Sequence, residues 1–301
     1  MTLSTLPDRR AVAAPHEPAL AADGAELTNS EFLSAVQRAA ARLRGAGVTT
    51  GDVVGAVLPG AVDLMVSLFA IWRLGATAAV IDPVASDEEV GQRVGDAECE
   101  VLIVHERPAA IPSSVRVLPV AVALGAGERD RTPAVRPGAE TLALITYRDG
   151  DRALLDHRNL EAMCRLVIKV FALTGADHSL STLPMRHICG LVVGALAPLV
   201  AGGRATMAGP LDPESFLERV ERTRPTYSSA VPNLYAALSD LPGRTRPDTS
   251  SVRFALCCAA PAGVDLRTRF KNRYGIPIVN AYGLTEVIAR AHAIRSPAAA
   301  Q

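Results

Sequence analysis

Short, continuously apolar segments alternate with helical segments along most of this 301-residue chain. Val53–Leu58, Ala76–Ile81 and Val101–Val104 predict strands covered on both faces, and apolar or amphipathic helical patterns separate them. Such alternation is typical of parallel sheets, because each helix returns the chain to the edge where the previous strand began. The same alternation resumes after residue 140 and continues to Ile276–Val279. The sequence therefore predicts an α/β fold with mainly parallel sheets.

One internal segment lacks any apolar period. Residues 123–140, ALGAGERDRTPAVRPGAE, contain Gly, Pro and mixed charge, which is typical of a linker. We therefore expect a first α/β subdomain over residues 1–140, with the linker near 123–140, and a second over 141–301. The most apolar stretch, Ile188–Gly203, contains Pro198 and is shorter than the roughly 20 residues that cross a bilayer. It predicts a buried core helix.

Composition excludes several classes of partner. The 31 basic and 31 acidic residues give no net charge, so there is no overall field that attracts nucleic acid or an anionic membrane. The five cysteines are scattered without zinc-ligand spacing, and the first ten residues lack the apolar run of a secretory signal. We expect a cytoplasmic protein with neither a nucleic-acid nor a membrane partner.

The strongest local motif is NAYGLTE at Asn280–Glu286, directly after a predicted strand. Gly283 permits a tight turn at the carboxyl end of that strand, where open α/β sheets bind ligands. Tyr282 could stack on a purine, Thr285 could donate to a phosphate oxygen, and Glu286 could hold Mg²⁺. On this segment alone, an ordinary turn with a solvated glutamate stays an open alternative.

Further motifs occur along the chain in a fixed order. They are LTNSEF (27–32), WRLGATAAVIDP (72–83), LPMRHICGL (183–191), RFALCCAAP (253–261) and AYGLTE (281–286). Together they resemble the motif series of the acyl- and aryl-CoA synthetase, luciferase and peptide-synthetase adenylation superfamily. Because the series spans nearly the whole chain, the chain is identified as a member. The resemblance implies two stacked α/β subdomains in an αβαβα layering.

The resemblance also implies ligands and site residues. It gives an ATP- or AMP-binding role to six residues, namely Ala259, Ala260, Pro261, Tyr282, Gly283 and Thr285. Glu286 is the implied Mg²⁺ ligand. His187 is implied to border a pocket for an acyl or aryl acid or its thioester with CoA or a carrier protein. A core histidine bound to backbone is the alternative for His187.

The segment between Tyr147 and Leu154 departs from the family pattern. Members carry there a Ser/Thr/Gly-rich loop that ends in Pro-Lys-Gly, whereas this chain has RDGDRA. Such a loop directs several backbone N–H groups and a lysine at the β- and γ-phosphates. The replacement is shorter, and Asp149 and Asp151 repel a triphosphate. We therefore expect ATP-dependent adenylation to be impaired or lost.

Cys258 is a second departure, since it stands where the family has Gly before Ala-Ala-Pro. One interpretation is an inert buried thiol. The other is a thiol nucleophile, for which His187 or His157 would be the base.

Family members continue past the Tyr-Gly-x-Thr-Glu motif into a β-barrel and a mobile carboxyl-terminal lid with a catalytic lysine, and we expect this chain to lack both. Full adenylation with thioester formation is therefore not expected of this chain alone, and ATP-independent acyl chemistry stays an open alternative. Two functions follow as hypotheses. The first is an acyl- or aryl-CoA ligase-like protein, and the second is a non-catalytic scaffold or regulatory partner of a biosynthetic enzyme or carrier protein. We expect a homodimer, and the sequence does not identify the acid.

Overall fold

The computed structural model of the chain describes residues 2–22, 24–148, 151–242 and 247–281. The α-helices of the described residues are α1 (Leu6–Ala13), α2 (Asn29–Gly45), α3 (Ala61–Arg73), α4 (Asp87–Asp96), α5 (Val120–Ala123), α6 (His157–Phe171), α7 (Ala197–Val200), α8 (Pro213–Thr223), α9 (Pro232–Asp240) and α10 (Val264–Tyr274). The strands are β1 (Pro18–Ala22), β2 (Ala25–Thr28), β3 (Val53–Val57), β4 (Thr77–Val80), β5 (Val101–Val104), β6 (Arg116–Pro119), β7 (Leu142–Arg148), β8 (Asp151–Asp156), β9 (His178–Ser181), β10 (Arg204–Met207), β11 (Tyr227–Ala230), β12 (Phe254–Cys257) and β13 (Ile278–Asn280).

The strands form two sheets. One has six strands in the order β6-β5-β3-β4-β7-β8, in which only the β7–β8 pair is antiparallel. The other has seven strands in the order β13-β12-β11-β9-β10-β1-β2, and its strands from β13 to β1 pair in parallel. The predicted α/β class with mainly parallel sheets is confirmed.

The chain divides into two compact units. Among the described residues, unit 1 contains the chain up to Pro18 and Glu26–Ala162. Unit 2 contains Ala19–Ala25 and the described residues from Met163 onward. The chain therefore passes between units after residues 18, 25 and 162.

Unit 1 is built around the six-stranded sheet. Its helix α2 begins with a reciprocal cap, in which Thr28 Oγ1 accepts from the Glu31 N–H and the Glu31 carboxylate accepts from the Thr28 N–H. Trp72 on α3 is fully buried, and its indole N–H donates to the Ala143 carbonyl of β7 at 2.8 Å. The Trp72 ring and the ring of buried His157 pack in a T-shaped arrangement, with their centres 6.0 Å apart. These contacts fix the start of α6 against α3.

The segment predicted as a linker has no helix or strand after α5, and it lies against unit 1. Asp130 accepts two hydrogen bonds from the Arg44 guanidinium of α2. The buried Arg73 of α3 donates to the Thr132 carbonyl, and its own carbonyl accepts from the Val135 N–H. Residues on both sides of position 140 belong to unit 1.

The predicted core helix in unit 2 differs from an α-helix. Cys189–Leu196 form a π-helix, and α7 follows it directly. Within it the Ala197 N–H donates to the Val192 carbonyl five residues earlier. Every residue from Gly190 to Leu199 is buried, so the uniformly apolar sequence carries no period that distinguishes π from α geometry. None of the helices described above unites the length and the apolar composition that a membrane span requires.

Candidate functional site

The candidate site lies at the carboxyl edge of the seven-stranded sheet. β13, β12, β11 and β9 are neighbours in parallel, so the segments that follow them meet at one edge. Hydrogen bonds join these segments laterally. The Thr182 N–H donates to the Ser229 carbonyl at 3.0 Å, and the Cys258 N–H donates to the Ala230 carbonyl at 2.9 Å. The sheet thus brings together segments that are far apart in the sequence.

The turn after β9 carries His187. Its backbone N–H donates to the Pro184 carbonyl at 3.1 Å, and its carbonyl accepts from the Leu191 N–H at 3.0 Å. A Cβ at Gly190 would collide with the same Pro184 carbonyl, so only glycine allows this turn to close. The side chain of His187 is exposed at the site edge, which differs from the core-histidine alternative.

The turn after β12 carries the predicted purine wall. Ala259, Ala260 and Pro261 are all exposed. Ala259 has φ +70°, a left-handed conformation that non-glycine residues rarely adopt and that concentrates at functional sites. Asn280 fixes the far side of this turn, because its side-chain amide accepts from the Ala262 N–H at 2.8 Å and donates to the Ala262 carbonyl.

Asn280 received no role in the sequence analysis. Its position as both the last residue of a strand and the first residue of the NAYGLTE motif is the signal that could have found it. Asn280 therefore joins the end of β13 to the turn that follows β12.

Cys258 is almost fully buried behind that turn. Its thiol makes a hydrogen bond with the thiol of Cys189, and this bond together with burial raises the pKa of Cys258 above its ordinary value. Burial also raises the pKa of the neighbouring Cys257 to about 11. A nucleophilic cysteine needs a thiolate, which these surroundings disfavour. The observed environment is that of the inert buried thiol.

His157, the second base considered for Cys258, belongs to unit 1 and is 1% exposed. Neither ring nitrogen has a hydrogen-bond partner among the residues that the structure describes. Burial lowers the pKa of His157 to about 4, so the ring is neutral and weakly basic at neutral pH. Its observed contact is with the Trp72 ring.

The segment that departs from the family pattern forms the end of a hairpin in unit 1. β7 and β8 pair antiparallel up to Tyr147 opposite Arg152 and Arg148 opposite Asp151. Only Asp149 and Gly150 stand between the last paired positions, and both lie outside the described residues. Asp-Gly is a preferred pair for a two-residue hairpin connection, and this signal could have predicted β8.

The end of this hairpin is fixed to helix α4. The Tyr147 hydroxyl lies 3.0 Å from Asp96 Oδ2 and 3.1 Å from the Arg93 carbonyl. The Arg93 guanidinium covers the Tyr147 ring at 4.3 Å from its centre. On the paired strand, the Arg152 guanidinium donates to the Asp96 carbonyl at 2.6 Å. Tyr147 and Arg152, which pair across the two strands, are therefore both bound to the carboxyl end of α4.

The remaining sequence predictions lie outside the described residues. These are Tyr282, Gly283, Thr285 and Glu286. In the part of the chain that the structure describes, no three His, Cys, Asp or Glu side chains group in a way that could hold a metal ion. The Mg²⁺ role of Glu286 stays a prediction from the resemblance.

Comparison with known proteins identifies the family to which this chain belongs. A sequence model described as "AMP-binding enzyme" matches residues 7–148 and 152–300, so its interior gap falls at Asp149–Asp151. A feruloyl-CoA synthase of Amycolatopsis sp is 31% identical over 96% of this chain and 62% of that protein. An oxalate–CoA ligase of Arabidopsis thaliana is 28% identical over 95% of this chain and 61% of that protein.

Solved structures share the fold. The ATP-bound structure of MatB from Rhodopseudomonas palustris superposes with a TM-score of 0.85 at 24% identity, over 96% of this chain and 61% of that one. The chain thus spans about 60% of the length of the curated relatives it matches. The family model covers nearly all of the chain, and the chain therefore belongs to the AMP-binding enzyme family.

Proposed function

We propose that this chain binds an acyl or aryl group, as a carboxylate or as a thioester, at the carboxyl edge of its seven-stranded sheet, and that its ATP-dependent adenylation is impaired or lost. The acyl part of the proposal is supported by family membership and by relatives named for CoA thioester formation with ferulate and oxalate. The exposed His187 and the exposed turn Ala259–Pro261 supply a surface for such a ligand.

The loss of adenylation rests on the β7–β8 hairpin. Pairing as far as Arg148 opposite Asp151 leaves only two residues between the strands. A phosphate cradle needs several successive N–H groups directed at one anion, and a two-residue connection is too short to supply them. The gap in the family match at residues 149–151 falls at the same place.

The charges of the hairpin act in the same direction. Asp151 is exposed, the sequence places Asp149 two positions before it, and both carboxylates oppose the approach of a triphosphate. Arg148 and Arg152 could offset them in part. Of these two, Arg152 donates to the Asp96 carbonyl, and its guanidinium lies 3.7 Å from the Asp96 carboxylate. Moving Arg152 to a phosphate would require breaking these contacts.

Chemistry on a preformed thioester does not require the triphosphate cradle. A thioester with CoA or a carrier protein already carries an activated acyl carbon. Transfer then needs an acyl pocket and a nucleophilic acceptor, which bonds to the acyl carbon as the C–S bond breaks and the thiol leaves with the acceptor's proton. Because burial and the Cys189 hydrogen bond disfavour a Cys258 thiolate, we propose that any transfer proceeds without an acyl-Cys258 intermediate. His187 is the group proposed to contact the acyl end.

A non-catalytic scaffold is the second candidate, and the same hairpin favours it, since a scaffold has no need of a phosphate cradle. In this alternative the chain acts on a biosynthetic enzyme or carrier protein, as a homodimer in the cytoplasm.

Calorimetry with ferulate, feruloyl-CoA and oxalate separates the candidates. We expect a saturable heat with at least one of them, weakened by His187→Ala and unchanged by His16→Ala, which removes an exposed histidine from the first segment of unit 1. A folded protein that binds none of a wider panel of carboxylic acids and thioesters would favour the scaffold. Pyrophosphate release by the wild-type chain above that of Glu286→Gln would contradict the loss of adenylation.

A further inference from the structure

The π-helix contains one backbone carbonyl that lacks its helical donor. In the five-residue pattern shown by the Ala197 N–H and the Val192 carbonyl, the next bond would run from residue 198 to the Val193 carbonyl. Residue 198 is proline and has no N–H. Val193 is fully buried, so a carbonyl without a donor would be costly there.

Tyr227 supplies the missing donor. Its hydroxyl donates to the Val193 carbonyl at 2.8 Å, and the side chain is fully buried on β11. The Tyr227 ring stacks on Phe254 at 5.2 Å and 14°, so the direction of the hydroxyl is fixed by packing. Burial raises the pKa of Tyr227, which keeps the hydroxyl protonated as a donor.

The π-helix is seated directly on the candidate site. A Cβ at Gly194 would lie 2.7 Å from Ser181 Oγ, so the helix touches the last residue of β9. Its first residue, Cys189, makes the thiol hydrogen bond with Cys258 and follows His187 by two residues. A change in the π-helix therefore moves the wall of the site.

We propose that Tyr227 is a positioning residue of the acyl site, whose hydroxyl replaces the N–H that Pro198 lacks and thereby holds the π-helix and the His187–Cys189 wall in place. The proposal depends on the proposed function only in naming the ligand of this site as an acyl group. The hydrogen bond and its effect on the wall are independent of any ligand.

The test is a comparison of Tyr227→Phe with Tyr274→Phe. The control also removes a hydroxyl that donates to a backbone carbonyl of unit 2, Leu238, at 2.7 Å. The first readout is the alkylation rate of Cys189 by N-ethylmaleimide, located by mass spectrometry. Cys189 suits this readout because the other four cysteines are buried.

Tyr227→Phe is expected to raise the alkylation rate of Cys189 about tenfold and to weaken feruloyl-CoA binding about tenfold. A tenfold change corresponds to about 1.4 kcal/mol, which is within the usual loss for one buried hydrogen bond. Tyr274→Phe is expected to change neither quantity. Pro198→Ala returns an N–H to the π-helix, so Tyr227→Phe/Pro198→Ala should recover both quantities toward wild type. A structural role elsewhere would not give this rescue.

The proposal is overturned if Tyr227→Phe and Tyr274→Phe give equal alkylation rates, or if the double variant Tyr227→Phe/Pro198→Ala alkylates as fast as Tyr227→Phe. Should Tyr227→Phe fail to fold, the double variant is expected to fold, and its failure would equally overturn the proposal. If the wild-type chain binds no acyl ligand, the proposed function fails, while the alkylation rates still decide the role of Tyr227.

Discussion

The buried His178 should make the free energy of unfolding fall in mild acid. It begins β9, is 5% exposed, and its Nε2 lies 2.8 Å from Thr206 Oγ1. Burial first, and then the positive charge of Arg204, lowers the pKa of His178 from 6.5 to about 4. The folded protein therefore resists protonating this ring, whereas the unfolded chain does not.

The sign and the size of the effect follow from linkage. Because the folded-state pKa lies below the unfolded value, the stabilisation is present above pH 6.5 and is lost as the pH falls toward 4. The full contribution is about 3 kcal/mol, of which about 2 kcal/mol disappears between pH 7 and pH 5. His157 has its pKa lowered to about 4 by burial and adds a similar loss.

The assay is urea unfolding at pH 7 and pH 5 for the wild type and His178→Gln, whose amide nitrogen can replace Nε2 opposite Thr206. The variant should lose about 2 kcal/mol less than the wild type over this interval, because carboxylates contribute equally to both. His16→Gln, at an exposed side chain of unit 1, should keep the wild-type loss. Equal losses for the wild type and His178→Gln would refute the reasoning.

Two further substitutions test the site. Gly190→Ala should lower the free energy of unfolding by roughly 1–3 kcal/mol and weaken acyl binding, because its Cβ collides with the Pro184 carbonyl. Gly45→Ala, with no atom within 4 Å of the new Cβ, should do neither, and thermal unfolding with calorimetry compares them. Cys258→Ala should retain any acyl transfer measured with feruloyl-CoA, since burial and the Cys189 hydrogen bond disfavour the thiolate that a nucleophile needs. Abolished transfer in a folded variant would establish the thiol as essential.

The fold could be predicted because its elements carry local signals. Val53–Val57 and Thr77–Val80 are uniformly apolar and lie where strands were predicted. The Thr28–Glu31 cap is readable as the start of α2. The π-helix was not predictable, since its geometry depends on a proline in the sequence and a tyrosine hydroxyl from a different strand.

The candidate site could be predicted only in part. The motif series located His187 and Ala259–Pro261, and parallel strand order brings these segments to one edge. The environment of Cys258 was not predictable, because its partner Cys189 is 69 positions earlier in the sequence. The fixing of Tyr147 and Arg152 to the end of α4 likewise depends on tertiary contacts that no local pattern records.

Titration of the wild-type chain with MgATP, followed by calorimetry and by pyrophosphate exchange, tests most directly whether the β7–β8 hairpin has replaced a phosphate cradle. The account predicts neither saturable binding nor exchange at millimolar nucleotide, from a protein that remains folded. Saturable MgATP binding with pyrophosphate exchange, both weakened by Glu286→Gln, would contradict it.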